Sequence, residues 1–158
     1  MKLIVNGHAQ HGKDYLSDLL AKELGMRKLN ASMFFSETVM LRAFPGQWTC
    51  VEDCYLDRVN HRALWYQMMR MGDWQKRLME ISDIFCGHRN ISEHVEMSFG
   101  SSEPYLRVWV EWEGKPAEPA SSSQWQQRSD IEAHHDLLLT HNGDGADHMV
   151  AAVKEAMK

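Results

Sequence analysis

The chain opens with a short apolar run, Leu3-Ile4-Val5, that leads through Asn6 into Gly7-x-x-x-x-Gly12-Lys13-Asp14. This feature constrains the fold more tightly than any other. A buried strand over Lys2 to Asn6 should run into the loop, and a helix over Lys13 to Leu24 should leave it. Gly7 and Gly12 allow backbone dihedrals that a side chain would forbid. The backbone N–H groups from Gly7, His8, Ala9, Gln10, His11, Gly12, Lys13 and Asp14 can then converge on phosphate oxygens at the positive end of the helix. Lys13 adds a mobile point charge for the terminal phosphates. Strand, loop and helix in that order read as a phosphate-binding P-loop rather than a turn that merely reverses the chain.

One position departs from the usual P-loop. The residue after the lysine is normally Ser or Thr, whose hydroxyl ligates Mg²⁺; here it is Asp14. A carboxylate beside a triphosphate repels it unless a cation stands between them. Asp14 therefore either binds Mg²⁺, directly or through water, or marks a loop with altered phosphate chemistry. In neither role, it would simply be an acidic residue in the helix's first turn, stabilised by the macrodipole.

Further along, Gly25 is a plausible C-cap and Arg27 to Asn30 a short second strand. Asn30 or Ser32 can cap a helix running to about Ala43, and Pro45-Gly46 opens an irregular stretch to about Asp53. Leu56, Val59, Ala63, Leu64, Met68 and Met71 share one face of a helix over 56–71, and Trp74 to Ile81 continues helically. Ser82 to Cys86 is a compact strand, and Ile91 to Phe99 a helix. Tyr105 to Trp112 is a clear strand, and Gly114 to Ser123, rich in Pro, Ala and Ser, a mobile loop. Leu137 to Thr140 is a last strand, Asn142-Gly143 a turn, and Ala146 to Met157 a closing helix. Strands alternating with helices imply an α/β fold: a mainly parallel central sheet in three αβα layers. Ligands of such sheets bind beyond the carboxyl ends of the strands. The P-loop and the turn at Gly87-His88-Arg89 both follow a strand end, which suggests two phosphorylated ligands facing each other.

A length of 158 residues suits a single domain with its own core. The formal charge of −5 gives no basic footprint for duplex nucleic acid. Three cysteines, Cys50, Cys54 and Cys86, form no disulfide framework. Cys50-x-x-x-Cys54 with His61 lacks an evident fourth zinc ligand and reads as reduced thiols. With no secretory signal and no segment of membrane-spanning length, a cytoplasmic protein is expected.

Several segments, in order, resemble nucleoside monophosphate kinases, in particular the deoxynucleoside monophosphate kinase-like proteins of bacteriophages. They are Gly7 to Asp14, Asn60-His61-Arg62-Ala63-Leu64-Trp65, Asp83-Ile84-Phe85-Cys86-Gly87-His88-Arg89, Val108-Trp109-Val110-Glu111, and Leu137 to Gly143. The resemblance implies a P-loop kinase fold and transfer of the ATP γ-phosphoryl group to a nucleoside monophosphate, with Mg²⁺. It places the acceptor-binding helical part at about 31–80 and a lid-like loop at about 113–130, and makes a homodimer an expectation by analogy. Phosphoryl transfer needs positioning and charge stabilisation more than covalent help. Arg62 and Arg89 would hold the acceptor phosphate through guanidinium forks, with Arg42 as a third candidate. Arg62 could instead be solvated or pair with Asp57 or Glu52.

The resemblance also sets Ser32 and Ser36 where the acceptor-binding helix begins, where capping and solvent exposure compete with a ligand role. Arg128 could close over ATP as a lid arginine, excluding water. His8 and His11 could touch phosphate or face solvent. Met33, Phe34, Phe35, Trp65, Trp74 and Trp109 read first as packing residues, and His134-His135-Asp136 as a polar end before a strand. No apolar run ends in a magnesium-binding Asp, with Glu111 a possible substitute. A modified nucleotide or hydroxymethylated base in DNA is an alternative acceptor, and a non-catalytic nucleotide-binding protein a third reading.

Overall fold

The structure, a computed structural model, describes residues 1–88, 103–121, 126–143 and 145–158. They form two compact units, one of Met1–Lys28 with Ser82–Lys158 and the other of Leu29–Ile81.

In the first unit, β1 (Lys2–Gly7), β2 (Ile84–Cys86), β3 (Tyr105–Trp112) and β4 (Leu137–His141) make one sheet in the order β2-β1-β3-β4, every pair parallel. Val5 lies opposite both Cys86 and Val108, and Trp112 opposite His141, so the carboxyl ends of the strands share one edge. Because side chains alternate across a sheet, Leu3, Val5, Leu106, Val108 and Val110 point to one face. There they cluster with Leu16 and Leu20 of α1 (Lys13–Leu24) and with Met149, Val150 and Val153 from the chain's final helix (Asp147–Ala156). Each fully enclosed leucine of that layer contributes about 1.5–3 kcal/mol of burial energy. The opposite parity, Ile4, Phe85 and Trp109, is buried too. A sheet enclosed on both faces reads as a near-continuous apolar run, as Leu3-Ile4-Val5 does. The result is the expected three-layer α/β fold with a parallel sheet. The helix Arg128–His134, which buries Ile131, precedes β4. We label it α7 and the final helix α8.

The second unit is helical. It comprises α2 (Ala31–Phe35), a π-helical turn (Ser36–Met40), α3 (Leu41–Ala43), α4 (Val51–Asp57), α5 (Arg62–Met69) and α6 (Trp74–Ile81). Phe35 packs its ring 5.2 Å from Trp65 and 5.0 Å from Trp74, so these aromatics are core, as their apolar setting suggested. Asn30 caps α2, its Oδ1 accepting from Met33 N–H at 3.0 Å. The Ser36 and Thr38 hydroxyls donate back to the carbonyls of Ser32 and Phe34, contacts that loosen a helix's ordinary ladder where the π-turn forms.

Three local expectations need correction. Arg27 to Asn30 is not a strand: only Lys28 bridges to Ile84, while the Arg27 carbonyl accepts from Asp83 and Ile84 N–H and from the Ser82 hydroxyl. The helix anticipated over 56–71 is two helices. The Asp57 carboxylate accepts from the Trp48 indole and the Asn60 amide and meets His61 at 3.0 Å, which fastens a turn at 58–61. Leu56, Val59 and Met71 are consequently exposed. The irregular stretch before Asp53 ends sooner than expected, because the Cys50 sulfur caps α4 by accepting from Asp53 N–H. The helix expected over Ile91 to Phe99 lies outside the described residues.

Candidate active site

Strand β1 delivers the chain to the loop through a very close backbone approach. A Cβ on Gly7 would stand 2.5 Å from the Val110 carbonyl oxygen, so no other residue fits without movement. The loop runs from His8 to Gly12. Gly12, at φ 85°, is the N-cap of α1 and offers no capping side chain to the first-turn N–H groups. Those amides are the orphan donors that make a helix start an anion site.

Lys13 begins α1 and its side chain returns across the loop. Its ammonium donates to the His8 carbonyl at 3.4 Å and lies 3.9 Å from the Asp14 carboxylate. Its Cε would be 3.5 Å from a Cβ on Gly87. The turn after β2 is tied to β1, since Gly87 N–H donates to the Val5 carbonyl and His88 N–H to Asn6 Oδ1. The two strand-end turns that the sequence suggested would meet are thus adjacent, with Lys13 between them.

Asp14 is mostly exposed, its side chain retaining 75% of its accessible surface. One carboxylate oxygen accepts from the Cys86 thiol at 3.3 Å. Desolvation, reinforced by the Asp14 charge, pushes that thiol up to about 12. The remaining carboxylate face is open to water, which suits a magnesium ion held by one protein carboxylate, waters and phosphate oxygens. Among the described residues no group of three or more His, Cys, Asp or Glu could hold a metal by itself, and Cys50 and Cys54 stand as free thiols.

Both loop histidines turn into the protein, so neither side chain faces solvent as one sequence reading allowed. His11 Nδ1 accepts from Trp112 N–H at 3.0 Å, and its Nε2–H donates to the Pro116 carbonyl at 3.1 Å. His141, at the end of β4, donates from Nε2 to the His11 carbonyl at 2.9 Å. His8 is enclosed edge-on between His11 and Trp109, with centroids 5.2 and 5.1 Å away, and its Nδ1 has no hydrogen-bond partner. Burial, then the neighbouring His11, lowers its pKa. His135 is not the ordinary polar end expected. It is buried, with Nδ1–H donating to Ile131 and Nε2 accepting from the Asn6 amide, and desolvation lowers its pKa as well.

Two further candidates are engaged elsewhere. Arg128 donates to both Glu111 oxygens at 2.8 and 2.9 Å and to Glu132 at 2.6 Å, ion pairs on an exposed side chain that a ligand of higher charge can displace. Glu111 also accepts from the Trp109 indole at 2.9 Å. Ser36 is fully buried, with its hydroxyl on the Ser32 carbonyl, and offers no polar tip to a ligand. In the helical unit, Ser32 lies in the first turn of α2, Arg42 is exposed in α3, and Arg62 is exposed at the start of α5. Asp57 is taken by His61 instead of Arg62. Arg89 lies outside the described residues.

Sequence reasoning missed Asn6, whose amide joins the β2 turn to His135. It also missed Lys115 and Glu118, which contact the loop from the segment after β3. The Lys115 ammonium donates to the Gln10 carbonyl at 3.0 Å, and Ala9 N–H donates to Glu118 Oε1 at 3.2 Å. A polar residue inside an apolar strand was a readable signal for Asn6. Residues more than a hundred positions from the loop left none.

No protein-family model matches the chain, and no curated protein matches it. Among solved structures, a candidate kinase from Chloroflexus aurantiacus is similar at 14% identity and a TM-score of 0.47, over 99% of this chain and 95% of that one. No described helix is long and apolar enough to cross a membrane.

Proposed function

We propose that this chain is a P-loop phosphotransferase that moves the γ-phosphoryl group of ATP to a nucleoside monophosphate, with a deoxynucleotide as the favoured acceptor class. The observation that carries this reading is Lys13, which spans from a glycine-bounded loop at a helix start to the adjacent Gly87 turn. A lysine there can follow charge as it passes from donor to acceptor oxygens, and such stabilisation dominates phosphoryl transfer.

In this reading the amides of the loop and of the uncapped first turn of α1 hold the donor phosphates. Lys13 leaves its long contact with the His8 carbonyl to bridge the terminal phosphates. Asp14 would hold Mg²⁺, which supplies charge neutralisation across the phosphates when bound. Arg62 and Arg89 remain the proposed acceptor-phosphate ligands, with Ser32 and Arg42 as neighbours of the acceptor. Ser36, buried with its hydroxyl on the Ser32 carbonyl, leaves that set, and Arg128 stays the proposed lid arginine over ATP, its exposed ion pairs opening to reach the phosphates. The engagement of Glu111 with Arg128 and Trp109 favours a second reading, nucleotide binding without turnover, because it withholds a carboxylate from the metal. Release of ADP from ATP-Mg²⁺ across a panel of nucleoside monophosphates separates the two: acceptor-dependent ADP supports the kinase, and tight binding without ADP supports the binder.

A further inference from the structure

We propose that the segment after β3, residues 113–121, is a strap that closes over the phosphate loop, with Glu118 as a carboxylate stand-in for a ligand phosphate. The inference rests on reading the loop as a phosphate site. Three contacts are made to three successive loop residues from one short stretch of chain. Ala9 N–H donates to Glu118 Oε1, Lys115 donates to the Gln10 carbonyl, and the His11 ring donates to the Pro116 carbonyl. Lys115 is further pinned with its ammonium 4.1 Å from the centre of the Trp112 ring, at the very end of β3. A turn, Lys115 N–H to the Trp112 carbonyl, folds the segment back toward the loop.

An anionic oxygen on a P-loop amide is the arrangement a phosphate would make, and here the chain supplies it. One donor hydrogen faces one acceptor, so a phosphate oxygen on Ala9 N–H requires Glu118 to leave. Opposite charges on the strap reinforce the closure: Glu118 takes a donor of the loop, while Lys115 takes a carbonyl. Ligand binding and strap release are therefore linked, and apparent affinity falls by the fraction of molecules with the strap open. The half-exposed contacts keep the strap displaceable by a ligand of several charges, but less so by a weakly held monoanion. The chemical class favoured is a polyphosphate.

The test uses the full chain, Glu118→Gln and Lys115→Met, titrated with ATP and with inorganic tripolyphosphate by calorimetry, alongside hydrogen exchange of the Ala9 amide. Both variants loosen the strap, so both should tighten the two ligands by roughly three- to tenfold, and Ala9 exchange should quicken in each. Simple local charge predicts opposite signs, tighter for Glu118→Gln and weaker for Lys115→Met; that pattern overturns the strap. Unchanged affinities and an unchanged Ala9 exchange rate, in a chain whose ATP binding is abolished by Lys13→Ala, overturn the strap while leaving the phosphate site standing. Failure of every form to bind either ligand overturns the phosphate-site reading and the strap with it.

Discussion

Gly7 and Val110 stand backbone to backbone, paired in register across β1 and β3, with 2.5 Å between the Val110 carbonyl oxygen and the place of a Cβ on residue 7. The glycine at the root of the loop is thus required by the neighbouring strand as well as by the phosphate pattern. Gly7→Ala should force the two strand ends apart. We expect a loss of roughly 1–3 kcal/mol, the range for overpacking, measured as a lowered urea midpoint with an unchanged slope. An unshifted midpoint would mean that the approach relaxes freely.

Asp14 gives a prediction that separates metal binding from helix stabilisation. Asp14→Asn keeps an acceptor for the Cys86 thiol and removes the charge. The Mg²⁺ concentration for half-maximal activity should rise on the order of tenfold, the scale on which lost support weakens a metal site. Thermal stability should fall by only about 0.3–1 kcal/mol, the share of an acidic side chain in a first helical turn. A magnesium titration that superimposes on the wild type removes Asp14 from the metal site.

His8 and His135 both have pKa values lowered by burial. The unfolded chain therefore binds these protons more readily than the folded one. Stability is present above the ordinary histidine pKa of about 6.5 and is lost as pH falls from there through the depressed folded values. The melting temperature should drop on acidification from about pH 7 to 5. His8→Leu removes a buried ring whose Nδ1 has no partner. It should flatten that drop and cost little at pH 7, where the wild type leaves a polar atom unsatisfied. A profile as steep as the wild type's would show that His8 does not titrate with unfolding.

The sheet was legible because its information is local. Leu3-Ile4-Val5 before a glycine and Tyr105 to Trp112 each state strand, burial and length in a few adjacent residues. The helical unit was less legible where a single carboxylate decides the path. Asp57 gathers Trp48, Asn60 and His61, and so breaks a helix that the apolar spacing alone would continue. At the site, the pattern named the loop and Lys13, but could not say that His8 and His11 turn inward. Their surroundings come from Trp109, Trp112 and Pro116, about a hundred residues away. The partners of Arg128 were hidden for a related reason. A basic residue after a polar loop says nothing about carboxylates waiting on β3 and one turn along α7.

Phosphoryl transfer by this chain should depend on Lys13. Purified chain, ATP labelled in its γ-phosphate, Mg²⁺ and each nucleoside monophosphate in turn should yield a labelled nucleoside diphosphate with at least one acceptor. Lys13→Ala, with a melting curve like that of the wild type, should lose most of that transfer, roughly a hundredfold or more, as expected for a donor aimed at transition-state charge. Label appearing in a diphosphate at the same rate with and without the lysine would contradict a lysine-dependent kinase, as would its absence with every acceptor.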